Sequence, residues 1–202
     1  MDKTAFIYGE KVYLRKLRRE DLNECYLQWL NDPEILKYSG RKSYPTGMEQ
    51  LEQYYERLQS STDLSLAICM KDSDKHVGNL SLNSILWLHR SAELSIVVGD
   101  KSVWGKGVAR DAMQAICKHA FTAMNLYRVW AESPNPAFNR AVQKLGWIKE
   151  GCKRESFFHE GKYIDLECYA ILQPEWLKLF GEDSTKSKQL QKKSRSPSDV
   201  LQ

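Results

Sequence analysis

The segment best suited to chemistry is a glycine pair that leads into a predicted helix, Trp104-Gly105-Lys106-Gly107-Val108-Ala109-Arg110. Glycines lack a Cβ atom and let an anion approach the backbone closely. The first N–H groups of a helix converge at the positive end of its dipole, which favours phosphate or diphosphate. A glycine pair alone is weak evidence, because glycines also form ordinary tight turns.

The predicted strand before this segment, Ala92–Val98, carries one acidic residue, Glu93, in an otherwise mostly apolar run. Free main-chain groups of a strand can bind an extended, amide-bearing ligand as an added strand would. A carboxylate beside such a ligand can act as a general base. The alternative is that Glu93 lies on a half-exposed strand face and pairs with Arg90 or with another strand.

Further segments follow in a characteristic order along the chain. Ser102–Ala109 resembles the acetyl-CoA signature Q/R-x-x-G-x-G/A of the GNAT superfamily, and Asn135–Trp147 resembles the N-P-A-S…E-K-L-G-F segment of its RimJ/RimL-like branch. His89–Glu93 is similar to the H-R-R-A-E stretch of that branch, and Leu14-Arg15 and Trp29–Pro33 also fit. The likeness covers roughly residues 8–176, and the ordered series is more specific than any single motif.

The resemblance implies direct transfer of an acetyl group from acetyl-CoA to a primary amine. It implies that Glu93 is the catalytic base, acting directly or through a water, and that an N–H near Val97 or Val98 polarises the thioester carbonyl. Asn135 also suits the N-cap of a helix that begins at Pro136. The implied coenzyme-binding residues are Ile96, Val97, Val98, Trp104, Gly105, Lys106, Gly107, Val108, Ala109, Arg110, Asn135 and Asn139.

Three positions depart from the pattern of the family. Ser102 stands where the signature has Gln or Arg, and Phe138 replaces the serine of N-P-A-S. Val142 stands where many relatives carry a tyrosine thought to protonate the departing thiolate. Water can protonate a CoA thiolate, so an enzyme remains the favoured interpretation. The alternative is a catalytically silent acyl-CoA-binding domain.

The predicted elements run β, α, α, a series of antiparallel strands, then β-α-β-α-β-β, with Trp147 to about Trp176 as the last two strands. We therefore expect a mixed α/β (α+β) fold with a single twisted, mostly antiparallel sheet flanked by helices. One domain is predicted over residues 1–180. Residues 181–202, which lack aromatic residues and are rich in Ser, Lys and Gln, are predicted to form a disordered tail.

The composition excludes several classes of protein. The chain has 42% apolar and 28% charged residues, the balance of a globular protein. No apolar run approaches the roughly 18 residues of a membrane span, and the N-terminal residues do not resemble a secretory signal. A cytoplasmic location is therefore expected. The net charge of +4 is modest and half of it lies in residues 181–202, which leaves a nearly neutral body and argues against a nucleic-acid partner.

The cysteines and histidines indicate no metal site. The five cysteines include no CxxC pair, and the four histidines lack metal-ligand spacing. His89, at the end of a predicted strand, is expected to make a structural hydrogen bond. A homodimer is compatible with the sequence, which carries no marker of oligomeric state.

The amine acceptor is expected to bind between residues 31–46, the second helix and the predicted hairpin 157–163. These segments mix aromatic, basic and acidic groups without the dense acidic cluster that a polyamine would favour. We therefore favour a small-molecule acceptor such as a nucleotide-linked amino sugar. A protein N-terminus, as in ribosomal-protein acetyltransferases, and a polyamine are the alternatives.

Overall fold

The computed structural model describes residues 4–181, which form eight strands and five helices. The strands are β1 (Ile7–Tyr8), β2 (Val12–Lys16), β3 (Leu64–Met70), β4 (His76–Leu86), β5 (Ser91–Val98), β6 (Arg128–Ser133), β7 (Ile148–His159) and β8 (Lys162–Leu172). The helices are α1 (Glu24–Trp29), α2 (Met48–Ser60), α3 (Val108–Thr122), α4 (Pro136–Lys144) and α5 (Gln173–Phe180). Residues 182–202 of the predicted tail lie outside the described residues.

All eight strands belong to one sheet in the order β1-β2-β3-β4-β5-β6-β8-β7. Every neighbouring pair is antiparallel except β5 and β6, which are parallel. The predicted fold class is therefore confirmed. Among the described residues, β5 and β6 pair only from Ser91 with Arg128 to Glu93 with Trp130. Beyond Glu93 the two strands separate, and this opening is called the β5–β6 gap below.

The sheet is covered by apolar residues on both faces. The larger cluster includes Ala92 and Leu94 of β5 together with Met113 of α3, and the second includes Tyr13 of β2 and Trp29 of α1. Side chains alternate between the faces of a strand. It follows that Glu93, Ser95 and Val97 project from the face that α1 and α2 partly cover.

The C-terminal end differs from the prediction. The last strand ends at Leu172 rather than near Trp176, and α5 follows at once. Pro174 is favourable in the first turn of a helix, and the Glu175 carboxylate accepts a hydrogen bond from the Leu172 N–H at 2.8 Å. Trp176 packs on Phe121 with their ring centroids 6.0 Å apart. Capping and aromatic packing therefore stabilise a helix where continued apolar character predicted a strand.

Within residues 4–181, no helix is both long enough and apolar enough to cross a membrane. The described part of the chain also lacks any cluster of three His, Cys, Asp or Glu residues suited to a metal ion. The cytoplasmic location stays a prediction.

Candidate active site

The β5–β6 gap exposes one edge of β5. The Arg90 carbonyl accepts hydrogen bonds from the N–H groups of Tyr127 and Arg128, whereas the Gly99 N–H donates to Val77 at the start of β4. Hydrogen-bonding direction alternates along a strand, so even-numbered residues of β5 direct their main-chain groups toward the gap. Of the three predicted coenzyme contacts on β5, Ile96 and Val98 therefore offer main-chain groups to the gap. Those of Val97 face β4.

Trp104 fixes the glycine segment against the end of β5. Its indole Nε1 donates a hydrogen bond to the Val98 carbonyl at 2.9 Å, and its main-chain N–H donates to Lys101 at 3.1 Å. The turn and the strand edge therefore form one continuous surface beside the gap.

The two glycines have the backbone conformation that the signature requires. Gly105 has φ +72° and Gly107 has φ +81°, both in the left-handed region that favours glycine. Gly107 is the N-cap of α3, a helix of 15 residues. The first N–H groups of that helix, Val108 to Arg110, have no partner within it. This end of α3 is therefore suited to an anion.

Two cations flank Gly107. A Cβ atom built on this glycine would lie 3.7 Å from the Lys11 Nζ atom and 3.8 Å from the Arg110 guanidinium. The Lys11 ammonium also donates to the Lys106 carbonyl at 2.7 Å. Lys106 and Arg110 belong to the sequence signature, whereas Lys11 lies 95 residues before Lys106 and was not predicted.

Asp111 is the residue that brings Lys11 to this turn. Its carboxylate accepts hydrogen bonds from the N–H groups of Glu10 (2.8 Å), Lys11 (2.7 Å) and Val12 (2.9 Å). The carboxylate lies in the first turn of α3, where the helix dipole stabilises negative charge. The β1–β2 turn is therefore fixed to the same helix end that is suited to an anion.

Glu93 lies where β5 and β6 separate. Its side chain is half-buried, and burial raises its pKa above the ordinary value. The negative charge of Glu132 raises the pKa further, whereas Lys153 lowers it. Glu132 and Lys153 form an ion pair at 2.6 Å. A carboxylate with a raised pKa is a stronger base, which suits proton removal from a bound amine.

Arg90 is not the partner that the alternative interpretation of Glu93 requires. The Arg90 guanidinium donates instead to the Asn125 main-chain carbonyl at 2.7 Å and to the Asn125 side chain at 2.6 Å. His89 lies in the exposed turn before β5, at the opposite end of that strand from the open part of the gap.

The two predicted asparagines lie at the start of α4, next to the end of β6. Asn135 is the N-cap, and its Oδ1 accepts from the Ala137 N–H at 2.9 Å. Asn139 is 8% exposed and donates through Nδ2 to the Ser133 carbonyl at 3.3 Å. The Asn139 Oδ1 is buried and has no hydrogen-bond partner within residues 4–181. Buried acceptors are rarely left unpaired, so this oxygen is available for the N–H of a ligand amide.

Val142 is fully buried in the larger core. Its apolar side chain supplies no proton, so the tyrosine of many relatives has no counterpart at this position.

The predicted acceptor segments meet at the far end of the gap. Lys37 pairs with Glu160 at the tip of the β7–β8 hairpin at 3.3 Å, and the rings of Tyr38 and His159 stack with centroids 4.8 Å apart. On the sheet, the Asn83 side chain of β4 donates to the Ser95 hydroxyl of β5 at 2.8 Å. Residues 31–46 and the tip of the hairpin are therefore in direct contact.

A free strand edge beside a glycine turn and a helix N-terminus suits a ligand that carries both amides and a diphosphate, as CoA does. The Acetyltransferase (GNAT) domain family matches residues 11–148, which is more than half of the chain. The chain therefore belongs to the GNAT acetyltransferase family. The predictions of an N-acetyltransferase and of acetyl-CoA as its cosubstrate are confirmed at this level.

Three known proteins illustrate the similarity. The uncharacterised N-acetyltransferase p20 of Bacillus licheniformis is 30% identical over 179 residues, which cover 84% of this chain and 97% of that protein. The spermidine N(1)-acetyltransferase of Vibrio cholerae is 29% identical over 172 residues, with coverage of 84% and 97%. The ribosomal-protein-serine acetyltransferase of Escherichia coli is 31% identical over 99 residues, which cover 48% of this chain and 55% of that protein.

The fold is also similar to a solved structure. The spermidine N-acetyltransferase from Vibrio cholerae, in complex with CoA and spermine, superimposes with a TM-score of 0.75. The match has 27% identity and covers 84% of this chain and 99% of that one.

Proposed function

We propose that this chain transfers the acetyl group of acetyl-CoA to a primary amine of a small cationic molecule, with a polyamine as the first acceptor class. The observation that carries the proposal is the half-buried Glu93 where β5 and β6 separate, with a second carboxylate, Glu132, on the same face of the sheet. Lys153 offsets one of the two negative charges, so ionised Glu93 leaves this group of three side chains with a net negative charge that attracts an ammonium group. The spermidine acetyltransferase relatives support the same acceptor class.

In this proposal the residues around the gap bind the donor as follows. The main-chain groups of Ile96 and Val98 pair with the amide-bearing arm, and the Asn139 Oδ1 accepts from one of its N–H groups. The first turn of α3, together with Lys11 and Arg110, neutralises the diphosphate. Acetyl-CoA supplies the thioester that the amine attacks.

Glu93 takes one proton from the ammonium group, directly or through a water, and leaves a neutral nitrogen. A main-chain N–H that β5 directs toward the gap donates to the thioester oxygen as its negative charge develops. The C–N bond forms, the C–S bond breaks, and the nitrogen releases a second proton to solvent water. The sulfur leaves as a thiolate that takes a proton from water, because Val142 provides none. Alignment of the two substrates in the gap supplies much of the rate.

A nucleotide-linked amino sugar is the second candidate acceptor, and one observation favours it. The Lys42 ammonium lies 5.3 Å from the centroid of the Phe157 ring and 3.5 Å from the Nδ1 atom of His159. A cation among aromatic rings suits an anion that carries a ring. The relatives described above give this candidate no support.

A protein N-terminus is the third acceptor class, in keeping with a RimJ/RimL-like branch. The ordered sequence motifs support that branch, whereas the matching ribosomal-protein enzyme aligns with only about half of the chain.

The acceptor class is tested by incubating the full chain with isotopically labelled acetyl-CoA and a panel of amines, with products measured by mass spectrometry. The panel contains spermidine, spermine, nucleotide-linked amino sugars and a peptide with an N-terminal serine. We expect labelled polyamine, with kcat/KM about 100-fold above that for the other acceptors. Faster acetylation of the sugars or the peptide would overturn the acceptor class. Donor binding without product or free CoA would indicate a silent acyl-CoA-binding domain.

Lys11→Met tests the cation that the sequence did not reveal. We expect the Kd for acetyl-CoA to rise about tenfold, since a charge-assisted contact to phosphate contributes about 1.5 kcal/mol. Lys71→Met is the matched control, because the Lys71 ammonium binds the Gly9 carbonyl of the same turn. Isothermal titration calorimetry measures both. Equal weakening by the two variants would show that the turn, rather than the Lys11 charge, matters.

A further inference from the structure

Lys101 connects the two sides of the gap. It lies in the short turn Lys101–Val103, directly after β5 and before the glycine segment. Its ammonium lies 2.8 Å from the Asp32 carboxylate and 2.7 Å from the Glu34 carboxylate. Both acids belong to residues 31–46, between α1 and α2. One side chain therefore joins the donor side of the site to the segment that borders the acceptor side.

Main-chain hydrogen bonds hold the Asp32 carboxylate in place in addition to its contact with Lys101. Its Oδ1 accepts hydrogen bonds from the N–H groups of Glu34 (2.8 Å) and Ile35 (3.1 Å), while its Oδ2 faces Lys101. The Lys101 ammonium lowers the pKa of Asp32, and Asp32 followed by Glu34 raises the pKa of Lys101. Asp32 and Lys101 are therefore both charged at neutral pH.

A second contact, between Trp29 and Gly99, fixes the start of residues 31–46 close to Lys101. A Cβ atom at Gly99 would lie 1.9 Å from Trp29 of α1, so the end of that helix packs directly on the backbone at the end of β5. Beyond Asp32 and Glu34, residues 31–46 continue to the β7–β8 hairpin, where Lys37 pairs with Glu160. Residues 32–37 are thus held at two points, at Lys101 after β5 and at the tip of the β7–β8 hairpin, which lie on opposite borders of the gap.

We propose that Lys101 is a positioning residue for the acceptor: by binding Asp32 and Glu34 it sets residues 31–46 across the β5–β6 gap. It contacts none of the groups assigned to the chemistry. The inference rests on the proposed function in one respect, since the acceptor is taken to bind beneath this segment. The consequence is that loss of the Lys101 charge weakens amine binding and leaves donor binding intact.

Lys101→Met is compared with Lys75→Met as a matched control. Lys75 forms an ion pair with Asp100 at 2.6 Å, one residue before Lys101, but that pair involves no residue of 31–46. For Lys101→Met we expect the KM for the amine to rise about tenfold, within the range of measured couplings between sites, and the Kd for acetyl-CoA to stay within about twofold. Lys75→Met should change neither. Lys101→Arg should recover most of the lost affinity, because it keeps the charge.

A variant with Asp32→Asn and Glu34→Gln identifies the partners. Combined with Lys101→Met, it should add little to the loss of either alone, since all three changes remove one interaction. Additive losses would contradict the proposal. So would equal effects of Lys101→Met and Lys75→Met, or a loss confined to acetyl-CoA binding.

Amide hydrogen exchange separates failure of this inference from failure of the proposed function, because it needs no turnover. Lys101→Met should increase exchange in residues 31–46, whereas Lys75→Met should not. Unchanged exchange would overturn the positioning role even if the chain acetylates polyamines. Increased exchange in a chain that acetylates none of the tested amines would leave the positioning role standing and reject the acceptor.

Discussion

Replacement of Glu93 by Gln is expected to lower kcat for amine acetylation about 100-fold or more, the usual contribution of a positioned general base. Gln keeps the size of the side chain but cannot take a proton from the ammonium group. The Kd for acetyl-CoA should stay near the value of the unmodified chain, because Glu93 binds no part of the donor. Steady-state kinetics and calorimetry measure the two quantities. Near-normal turnover across pH would remove Glu93 from the mechanism.

The neighbours of Glu93 make a sharper test through the pH profile of kcat/KM. The base must be deprotonated, so the rate rises with pH through the pKa of Glu93, which burial and Glu132 place above the ordinary glutamate value. Glu132→Gln removes the like charge and should move this acidic limb to lower pH. Lys153→Met removes the cation and should move it to higher pH. Shifts in the same direction, or none, would exclude Glu93 as the titrating base.

The second large effect is expected for Gly107→Val, which should raise the Kd for acetyl-CoA about 100-fold. At φ +81° a β-branched residue is strained, and its side chain would enter the space between Lys11 and Arg110. The backbone strain and the added side chain both weaken donor binding, because the backbone there offers its N–H groups to the diphosphate. Calorimetry with acetyl-CoA measures the loss, and circular dichroism checks the fold.

Gly161→Val is the matched control for backbone strain. Gly161 has φ +80° in the β7–β8 turn, and a Cβ atom there would meet nothing within 4 Å. The two variants should lose similar stability, because a left-handed non-glycine residue costs about 1–2 kcal/mol wherever it lies. Only Gly107→Val should lose affinity for the donor. Equal donor affinity in the two variants would contradict the role given to the glycine turn.

Local patterns in the sequence predicted much of the fold. Apolar patterning alone predicts a strand over Leu64–Met70 and a helix from about Gly47, and the structure has β3 at Leu64–Met70 and α2 from Met48. The stripe Val108, Ala112 and Ile116 is buried as periodicity requires. These features depend on residues close in sequence, where helical and strand periods are read directly. The glycine turn belongs to the same group, because its chemistry lies in consecutive residues.

The rest of the site depends on contacts that no local pattern carries. Lys11 reaches the glycine turn because Asp111 binds main-chain groups about 100 residues earlier in the chain. Lys101 meets Glu34 across 67 residues. Charged residues on surfaces are common, and nothing in their sequence neighbourhood distinguishes a partner from a solvated side chain. The strand predicted toward Trp176 was wrong for a related reason, since packing on Phe121 decides that segment.

The short parallel pairing of β5 and β6 has a consequence for the cohesion of the protein. Three residue pairs, Ser91 with Arg128 through Glu93 with Trp130, are all that directly join the first five strands of the sheet to the last three within residues 4–181. An acyl donor that bonds to both borders of the opening would hold the two half-sheets together. Affinity for the donor and rigidity of the C-terminal half are then linked properties, so that a change in one alters the other.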